Sequence, residues 1–409
     1  MSKNFAKDNY LVRTSLFIFD IEIIFKMQDL LKDIFSFFPP YSIWDGLVIL
    51  FILLFLVQVF YYLYFFTKIA FYKPTTVQPK TTPVSVIVCA KNERENLLAF
   101  LPLILAQDYP DFEVIVVNDN SVDDTQDVLK AFSLQHSNLK IVTVPDNDRF
   151  YGNKKFALTL GIKAAKNEIV LLTDADCQPT SNQWISLMTA YENPQKKIIL
   201  GIGNYDQQPS FLNKLIRFET FYTAIQYTSF ALRKLPYMGV GRNLSYHTDV
   251  FFNNKGFASH HHIISGDDDL FVNEVANHNN TQVVLNAAAH TISKPKTTFD
   301  KWIRQKQRHF LSGTHYKLKH QLLLGTFMFS NLIFVGLFFL LVFKIPHIHL
   351  IVGLFLLKYI IQMLIFRFSS KQLGNKDVII YTPIFELFFM FFNPILVISN
   401  FIKKRTQWN

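Results

Sequence analysis

The sequence predicts an α/β domain built on a parallel sheet, set between one N-terminal transmembrane helix and a C-terminal hydrophobic helical region. Three observations carry that expectation. The runs VSVIVCA (84–90), FEVIVVN (112–118) and EIVLLTD (168–174) are rich in Val and Ile and alternate with stretches of helical character. Nearly continuous apolar strands separated by helices argue a parallel sheet covered on both faces. Residues 46–66, GLVILFILLFLVQVFYYLYFF, hold no charge over 21 positions, a length that spans a bilayer as a helix. Beyond residue 320, three further apolar segments follow in succession.

Taken in order, residues 1–42 alternate charged and apolar positions and end in Phe38-Pro39-Pro40. No small-residue cleavage site follows an apolar core, so no cleavable signal is expected there, and Met27 is an alternative start. A transmembrane helix is expected over 43–68, with Tyr61, Tyr62 and Tyr64 and then Lys68 and Lys73 marking a membrane interface. Residues 69–82, rich in Pro and Thr, read as a linker. The soluble domain is expected over 83–320, a C-terminal membrane region over 321–402, and a basic tail over 403–409. Within the membrane region, 322–343 and 347–366 are each long enough to span. The segment 378–401 contains Glu386, Asn393 and Pro394. It fits a broken span, a re-entrant segment or an interfacial helix.

Charge suggests the orientation. Arg367, Lys371 and Lys376 place the loop 367–376 in the cytoplasm, and counting back through two spans puts the soluble domain on the same side of the cell membrane. Lys403-Lys404-Arg405 should be cytoplasmic as well, which favours a last segment that does not make a single full crossing.

Composition agrees with a mixed architecture. Half of the 409 residues are hydrophobic, 43 are Phe and 18% are charged. That is too apolar for an ordinary soluble chain and too charged for a chain of membrane helices alone. The net charge of +10 suits membrane lipids or phosphorylated substrates. No nucleic-acid motif is present, so no nucleic-acid partner is expected. Cys89 and Cys177 provide neither a disulfide framework nor a zinc spacing and read as small buried residues.

Five stretches carry chemistry. Asp174 and Asp176 directly follow the third run. Two carboxylates at a strand end can hold a hard divalent cation, Mg²⁺ or Mn²⁺, and leave positions open for phosphate oxygens. The stretch 118–125, NDNSVDDT, offers amides and carboxylates for a base and ribose, and equally reads as a helix start capped by Ser121 or Asp123. Ala90-Lys91-Asn92-Glu93 closes the first run without a G-x-G-x-x-G, and no P-loop occurs anywhere. Both absences count against dinucleotide oxidoreductases and P-loop nucleotidases. Asp267-Asp268-Asp269 are three adjacent carboxylates. Their repulsion should raise at least one pKa, which suits a base that takes a proton from a hydroxyl; a helix N-terminus enriched in Asp is the plainer reading. Gln305 and Arg308, three apart, share a helical face within a Lys-rich segment that equally fits attraction to anionic lipid. Gly239–Asn243 fits an acceptor loop or a plain turn, and His260-His261-His262 reads as a loop rather than a metal site.

Together these motifs resemble the family 2 glycosyltransferases over about residues 83–320. VSVIVCAKNE (84–93) resembles the family's opening strand. NDNSVDDT matches D-D-x-S-x-D-x-T with Asn118 in place of the first Asp. GNKKFAL (152–158) resembles G-K-x-x-A-L, its spacing pointing to Lys154, and DAD (174–176) is the D-x-D. Gly266-Asp267-Asp268 resembles G-E-D, and Gln305 to His309 resembles Q-x-x-R-W with His309 for Trp. The resemblance implies the GT-A fold, with Ala90, Glu93 and Asp119 at the nucleoside and Lys154, Asp174, Gln305 and Arg308 on the donor. It makes Asp176 the metal ligand and Asp268 the catalytic base. It implies an inverting, metal-dependent transfer from a nucleotide-diphosphate sugar. Too few spans are expected for a polymer-conducting pore, which favours a lipid or lipid-linked acceptor over a growing glycan. A processive polysaccharide synthase, a metal-dependent phosphotransferase and a membrane scaffold that keeps a sugar-nucleotide fold remain as alternatives.

Overall fold

Every side chain of VSVIVCA is buried, as are all but the first of FEVIVVN. Strands covered on both faces need apolar residues at successive positions rather than alternate ones, and these runs supply them. The computed structural model describes residues 43–74, 80–145, 154–263, 265–344 and 348–402. The expected segment 1–42, the alternative start at Met27, the middle of the expected linker and the basic tail 403–409 lie outside the described residues.

The described chain begins with α1 (Ile43–Phe60), which continues as a π-helical turn over Tyr61–Phe66 and ends at Ala70. The domain follows with β1 (Val84–Ala90), α2 (Arg94–Leu105), β2 (Phe112–Asn118), α3 (Thr125–Gln135), β3 (Leu139–Thr143), α4 (Lys154–Ala164), β4 (Ile169–Asp174) and β5 (Cys177–Pro179). Then come α5 (Trp184–Thr189), β6 (Ile198–Leu200), β7 (Gly203–Tyr205), α6 (Phe211–Leu232), β8 (Leu244–His247), α7 (Thr248–Asn253) and α8 (Asp269–Val275). The last described elements are β9 (Thr281–Val283), β10 (Thr291–Ser293), α9 (Phe299–Gly313), α10 (Leu318–Leu341), α11 (Ile348–Leu373) and α12 (Thr382–Ile402).

The main sheet has seven strands in the order β3-β2-β1-β4-β8-β6-β9. β1 to β4 pair in parallel, as the alternating pattern predicts. β8 runs antiparallel to β4 and to β6, so the sheet is mixed where a wholly parallel one was expected. Leu172 of β4 faces Leu244 of β8, so the chain enters β8 beside the carboxyl end of β4. The loop Gly239–Asn243 therefore lies at that end of the sheet. A second sheet, β5-β10-β7, sits on the same stretch of chain.

Strand alternation splits the core in two. Val84, Val86, Val88, Val114, Val116, Ile169 and Leu171 meet α2 and α5 through Leu97, Leu101, Ile104 and Trp184. On the other face Ile87, Ile115, Val117, Val170 and Leu172 meet α4 through Ala157, Leu158 and Ile162. α4 comes so close there that a Cβ on Gly161 would stand 2.7 Å from a methyl of Ile87. The second cluster continues without a break through Phe218, Phe221 and Phe230 of α6 to Phe327, Phe366 and Phe385 of the C-terminal helices.

The strand order reverses between β1 and β4. The crevice outside their carboxyl ends is where open α/β sheets bind ligands, and Cys89 pairs with Asp174 at its mouth.

Among the described residues, four helical stretches are long and apolar enough to cross a membrane: Ile43–Ala70, Leu318–Leu341, Ile348–Leu373 and Lys376–Ser399. The last, which the sequence left open, is an unbroken helix from Thr382 despite Pro394. The chain forms two compact units. Of the described residues, the smaller holds Ile43–Leu56 with those between Ile333 and Phe355; within it Phe51 stacks on Phe334 at 4.5 Å and Phe338 on Phe355 at 3.7 Å. The larger, Val57–Leu332 with Leu356 onward, holds the sheets and every residue discussed below.

Candidate active site

The ends of β1 and β2 are tied together by side chains. Asn92, with φ +56°, donates its backbone N–H to Ser121 Oγ at 2.9 Å, and its Oδ1 accepts from Val122 N at 2.8 Å. Asn is one of the few residues that adopts this left-handed conformation readily. Glu93 N donates to Thr125 Oγ1 and Arg94 N to Asp123 Oδ2, at 3.0 and 3.2 Å. Ser121 and Asp123 are thus structural: Ser121 braces Asn92, and Asp123 also accepts from Thr125 N at 3.1 Å at the start of α3. Asn118 accepts from Ser121 N and donates to Gln126 Oε1.

Asp119 is different. It is fully buried, and among the described residues neither carboxylate oxygen accepts a hydrogen bond, although Lys91 Nζ stands 3.9 Å away. Burial pushes its pKa up against the pull of Lys91. A buried carboxylate with unfilled acceptor positions can take hydrogen-bond donors from a ligand or water. Its own N–H donates to Ala90 O at 2.9 Å, joining two of the residues expected at the nucleoside.

Beyond this loop a cavity of about 850 Å³ opens at the sheet's carboxyl end. Glu93, Lys154, Asp174, Asp176, Asp268, Gln305 and Arg308 all line it. Ala90 and Asp119 are buried beside it and do not reach its wall. Seven of the nine residues singled out in the sequence therefore converge, from β1, α4, β4, α8 and α9.

Lys154 opens α4, with its Nζ 2.8 Å from Asp174 Oδ1 and 2.9 Å from Asp267 Oδ2. Burial opposes its charge, but Asp174, Asp267 and Asp268 outweigh burial and hold its pKa well above the usual lysine range. Lys155 turns away and donates to the carbonyls of His260 and Ile263, so Lys154 is the lysine of this pair that faces the carboxylates. Asp267 is pushed up by burial, yet the charge and hydrogen bond of Lys154 hold it below the carboxylate norm.

Gly266, at φ +94°, turns the chain so that Asp268 caps α8. Asp268 accepts from Gly241 N at 2.6 Å and from Asp269 N at 2.7 Å. Burial, then the charges of Asp267 and Asp269, raise its pKa to about 7. The triplet behaves as its adjacency predicts: one member is lowered, and its neighbours are raised. Asp269 is also raised by burial, while hydrogen bonds from Ser312 and from Tyr316 at 2.7 Å hold it in place. The capping reading of the sequence holds at Asp268, whose side chain accepts from Asp269 N at the start of α8.

Asp174, Asp176 and Cys177 bring ligand-type atoms within 4.8 Å of one another. The fit to a hard cation is through the two carboxylates. Asp176 is pushed up by burial and then by Asp174, the crowding a cation relieves. Cys177 is fully buried, its thiol 2.9 Å from Ser293 Oγ and pushed well up by burial; a neutral soft thiol is a poor partner for Mg²⁺ or Mn²⁺. Cys89 is likewise buried, and its thiol is pushed up to about 12.

On α9, Gln305 donates to Tyr205 Oη at 3.1 Å, and Arg308 faces the cavity three residues on. Two cations were missed as site residues. Arg242 lies over the Tyr205 ring at 4.4 Å, donates to Gly203 O and Ser293 Oγ, and offsets Asp176. Lys296 lines the cavity as well. Gly239–Asn243 and the lysine-rich segment were noticed in the sequence, but nothing local marked which cation would turn inward. The His260–His262 stretch forms no metal group among the described residues.

The family model described as Glycosyl transferase family 2 matches residues 85–252, and the model Glycosyl transferase family group 2 matches residues 169–389. The chain is 34% identical over 104 residues to the Glycosyltransferase AglE of Haloferax volcanii, covering 25% of this chain and 33% of that one. It is 29% identical over 133 residues to a Poly-beta-1,6-N-acetyl-D-glucosamine synthase of Staphylococcus epidermidis, covering 32% and 31%. The matches thus span about a third of these curated relatives. Among solved structures, a mannosyltransferase from Pyrobaculum calidifontis, in complex with GDP-Man and Mn²⁺, superposes with a TM-score of 0.54 at 17% identity. It covers 83% of this chain and 99% of that one, a likeness of fold, which is GT-A.

Proposed function

The chain belongs to glycosyl transferase family group 2, and on that premise we propose that it transfers a sugar, with inversion, from a nucleotide-diphosphate donor to a membrane lipid or lipid-linked acceptor. The observation that carries this reading is Asp268. Its carboxylate, with a pKa of about 7, lines a cavity that also holds the donor motifs at one end and membrane-level helices at the other.

In this reading Asp119 and Glu93 hold the nucleoside. Lys154 and Arg308 face the diphosphate, with Gln305 beside Arg308. Asp268 takes the proton of an acceptor hydroxyl as its oxygen bonds the anomeric carbon, and the bond from that carbon to the nucleoside diphosphate breaks. The cationic side chains meet the negative charge that develops on the departing diphosphate. Asp176, with Asp174 beside it, would hold Mg²⁺ or Mn²⁺; when bound, such an ion supplies positive charge to the phosphate oxygens.

The expected setting is the cell membrane, with the catalytic domain cytoplasmic. Contacts at both ends of the last helix support a segment that does not cross: Arg217 of α6 pairs with Asp377 at 2.6 Å, and Gln307 of α9 donates to Ser399 Oγ at 2.9 Å. α9 itself is strongly amphipathic, as an interfacial helix is.

The test incubates purified protein with labelled UDP- and GDP-sugars and a membrane-lipid extract. Labelled lipid released by mild alkali or acid is expected; a labelled polymer that lengthens with time would favour the processive reading that the Staphylococcus epidermidis relative suggests. Asp176→Ala is expected to lose the Mn²⁺-dependent part of nucleotide binding, about 10-fold or more in Kd. Equal nucleotide affinity with and without Mn²⁺ in the wild type would sink the metal assignment.

A further inference from the structure

The cavity does not end at the catalytic carboxylates. It continues past Trp302 and Phe310 of α9 to a second wall made by α10 and α12, where Phe327, Met328, Leu332, Phe389 and Met390 line it. Three polar groups interrupt this apolar wall, Asn331, Glu386 and Asn393. The first two belong to a buried knot. The Glu386 carboxylate accepts from Lys358 Nζ at 2.8 Å, from Gln362 Nε2 at 3.2 Å and from Asn331 Nδ2 at 3.2 Å. Lys358 also donates to Gln362 Oε1 at 2.9 Å.

Polar groups that join membrane helices are common, and that role accounts for every atom of the knot except one. Asn331 is 93% buried, being 7% exposed, and among the described residues its Oδ1 has no hydrogen-bond partner. Turning the amide over does not resolve this, because it would set Oδ1 against the Glu386 carboxylate. Glu386 therefore fixes the amide with its acceptor oxygen unfilled on a residue that lines the cavity. An unfilled buried acceptor calls for a hydrogen-bond donor in the ligand.

The charges narrow the class. Lys358 and Glu386 balance, and the cavity-lining residues of α10 and α12 include no Lys, Arg or His. An anionic group there would meet a carboxylate without a free cation. An uncharged group that carries several hydroxyls, as a sugar does, fits. The level fits too. Asn331 lies one turn past Phe327, which meets Tyr222 of the domain helix α6. Met328 and Phe329 line the same stretch and are 48% and 56% exposed on a helix apolar enough to cross a membrane, which leaves a side open to alkyl chains.

Resting on the transferase reading above, we propose that the membrane end of the cavity is the headgroup subsite for a glycolipid acceptor, and that Asn331 Oδ1 accepts a hydrogen bond from a hydroxyl of its sugar. The enzyme then extends a lipid that already carries a sugar, and a separate transferase acting on the bare lipid must supply that substrate.

The test compares acceptors on the full-length protein in lipid nanodiscs, using whichever labelled sugar nucleotide it turns over. The acceptors are monohexosyl-diacylglycerols, diacylglycerol, a polyprenyl phosphate and soluble oligosaccharides. The wild type is expected to favour the monohexosyl lipid over diacylglycerol by about 10-fold or more in kcat/KM. Asn331→Leu should erase that preference through a higher acceptor KM, and Asn331→Gln should restore part of it. Hydrolysis of the donor without acceptor should stay within 2-fold in both variants. A wild type that prefers diacylglycerol, polyprenyl phosphate or soluble glycan overturns the inference, as does a preference unchanged in Asn331→Leu; donor hydrolysis intact in either case leaves the transferase reading standing. A wild type that hydrolyses and transfers no sugar nucleotide overturns both. Should the variants fail to fold, a diazirine-bearing monohexosyl lipid decides on wild-type protein: labelling is expected within residues 327–332 or 386–394, displaced by the unlabelled glycolipid, and labelling elsewhere refutes the subsite.

Discussion

The two ends of the cavity are built on opposite electrostatic plans. At the sheet end Asp174, Asp176, Asp267, Asp268 and Asp269 crowd against Lys154, Arg242 and Arg308, and the charges do not settle in pairs: Asp176, Asp268 and Asp269 keep raised pKa values while Asp267 is lowered. At the membrane end a single carboxylate, Glu386, meets a single ammonium, Lys358, and two amides complete it. The first arrangement raises the Asp268 carboxyl to about 7 by burial and by its neighbouring carboxylates and brings Asp174 and Asp176 close enough to share a cation. The second has no charge to spare and can discriminate only by hydrogen bonds and shape. On the proposed reading the first end performs the chemistry and the second holds and reads the acceptor, and three changes probe that division.

Asp268→Asn should have the largest effect. Removing the base is expected to slow transfer about 10³-fold while nucleotide Kd stays within 2-fold and the melting temperature is kept. Wild-type turnover in this variant, measured with labelled donor, would sink the assignment. Glu386→Ala should act in the opposite column. It leaves Lys358 buried without its counter-charge, so stability is expected to fall by about 3 kcal/mol. The double change Lys358→Met with Glu386→Leu should recover part of it, since it removes the unpaired charge although Asn331 and Gln362 lose their partners. A double variant no more stable than the single one, by thermal unfolding in detergent, would break the comparison.

The smallest effect is a shift along the pH axis. Asp268 must be ionised to accept a proton, so kcat/KM should rise with pH through about 7. Asp267→Asn removes a like charge and releases Lys154 from one partner. Both changes favour the ionised form of Asp268, so the acid limb should move to lower pH and activity at pH 6 should rise relative to pH 8. An unmoved limb would mean that the limb reports some other group.

The sequence made some of this legible and not the rest. The strands at 84–90 and 112–118 were read to the residue, because burial on both faces forces a continuous apolar run. Strands of three and four residues, β6, β8 and β9, leave no such trace, so the antiparallel half of the sheet went unread. Asp268 stood out because adjacency guarantees repulsion whatever the fold. Arg242 did not, because a lone arginine in a Gly-rich loop has no local signature.

By itself, then, the sequence determined the layered α/β domain, the apolar helices and the carboxylates beside the strand ends, all of which follow from local pattern: hydrophobic period, run length and residues next to one another. Tertiary structure alone decided that Lys154 bridges Asp174 and Asp267, that Arg242 turns inward, and that Asn331, Lys358, Gln362 and Glu386 form one knot beside the same cavity. These depend on contacts between residues tens to hundreds of positions apart, and a buried group's charge, partners and unfilled hydrogen bonds exist only once such contacts have removed the water.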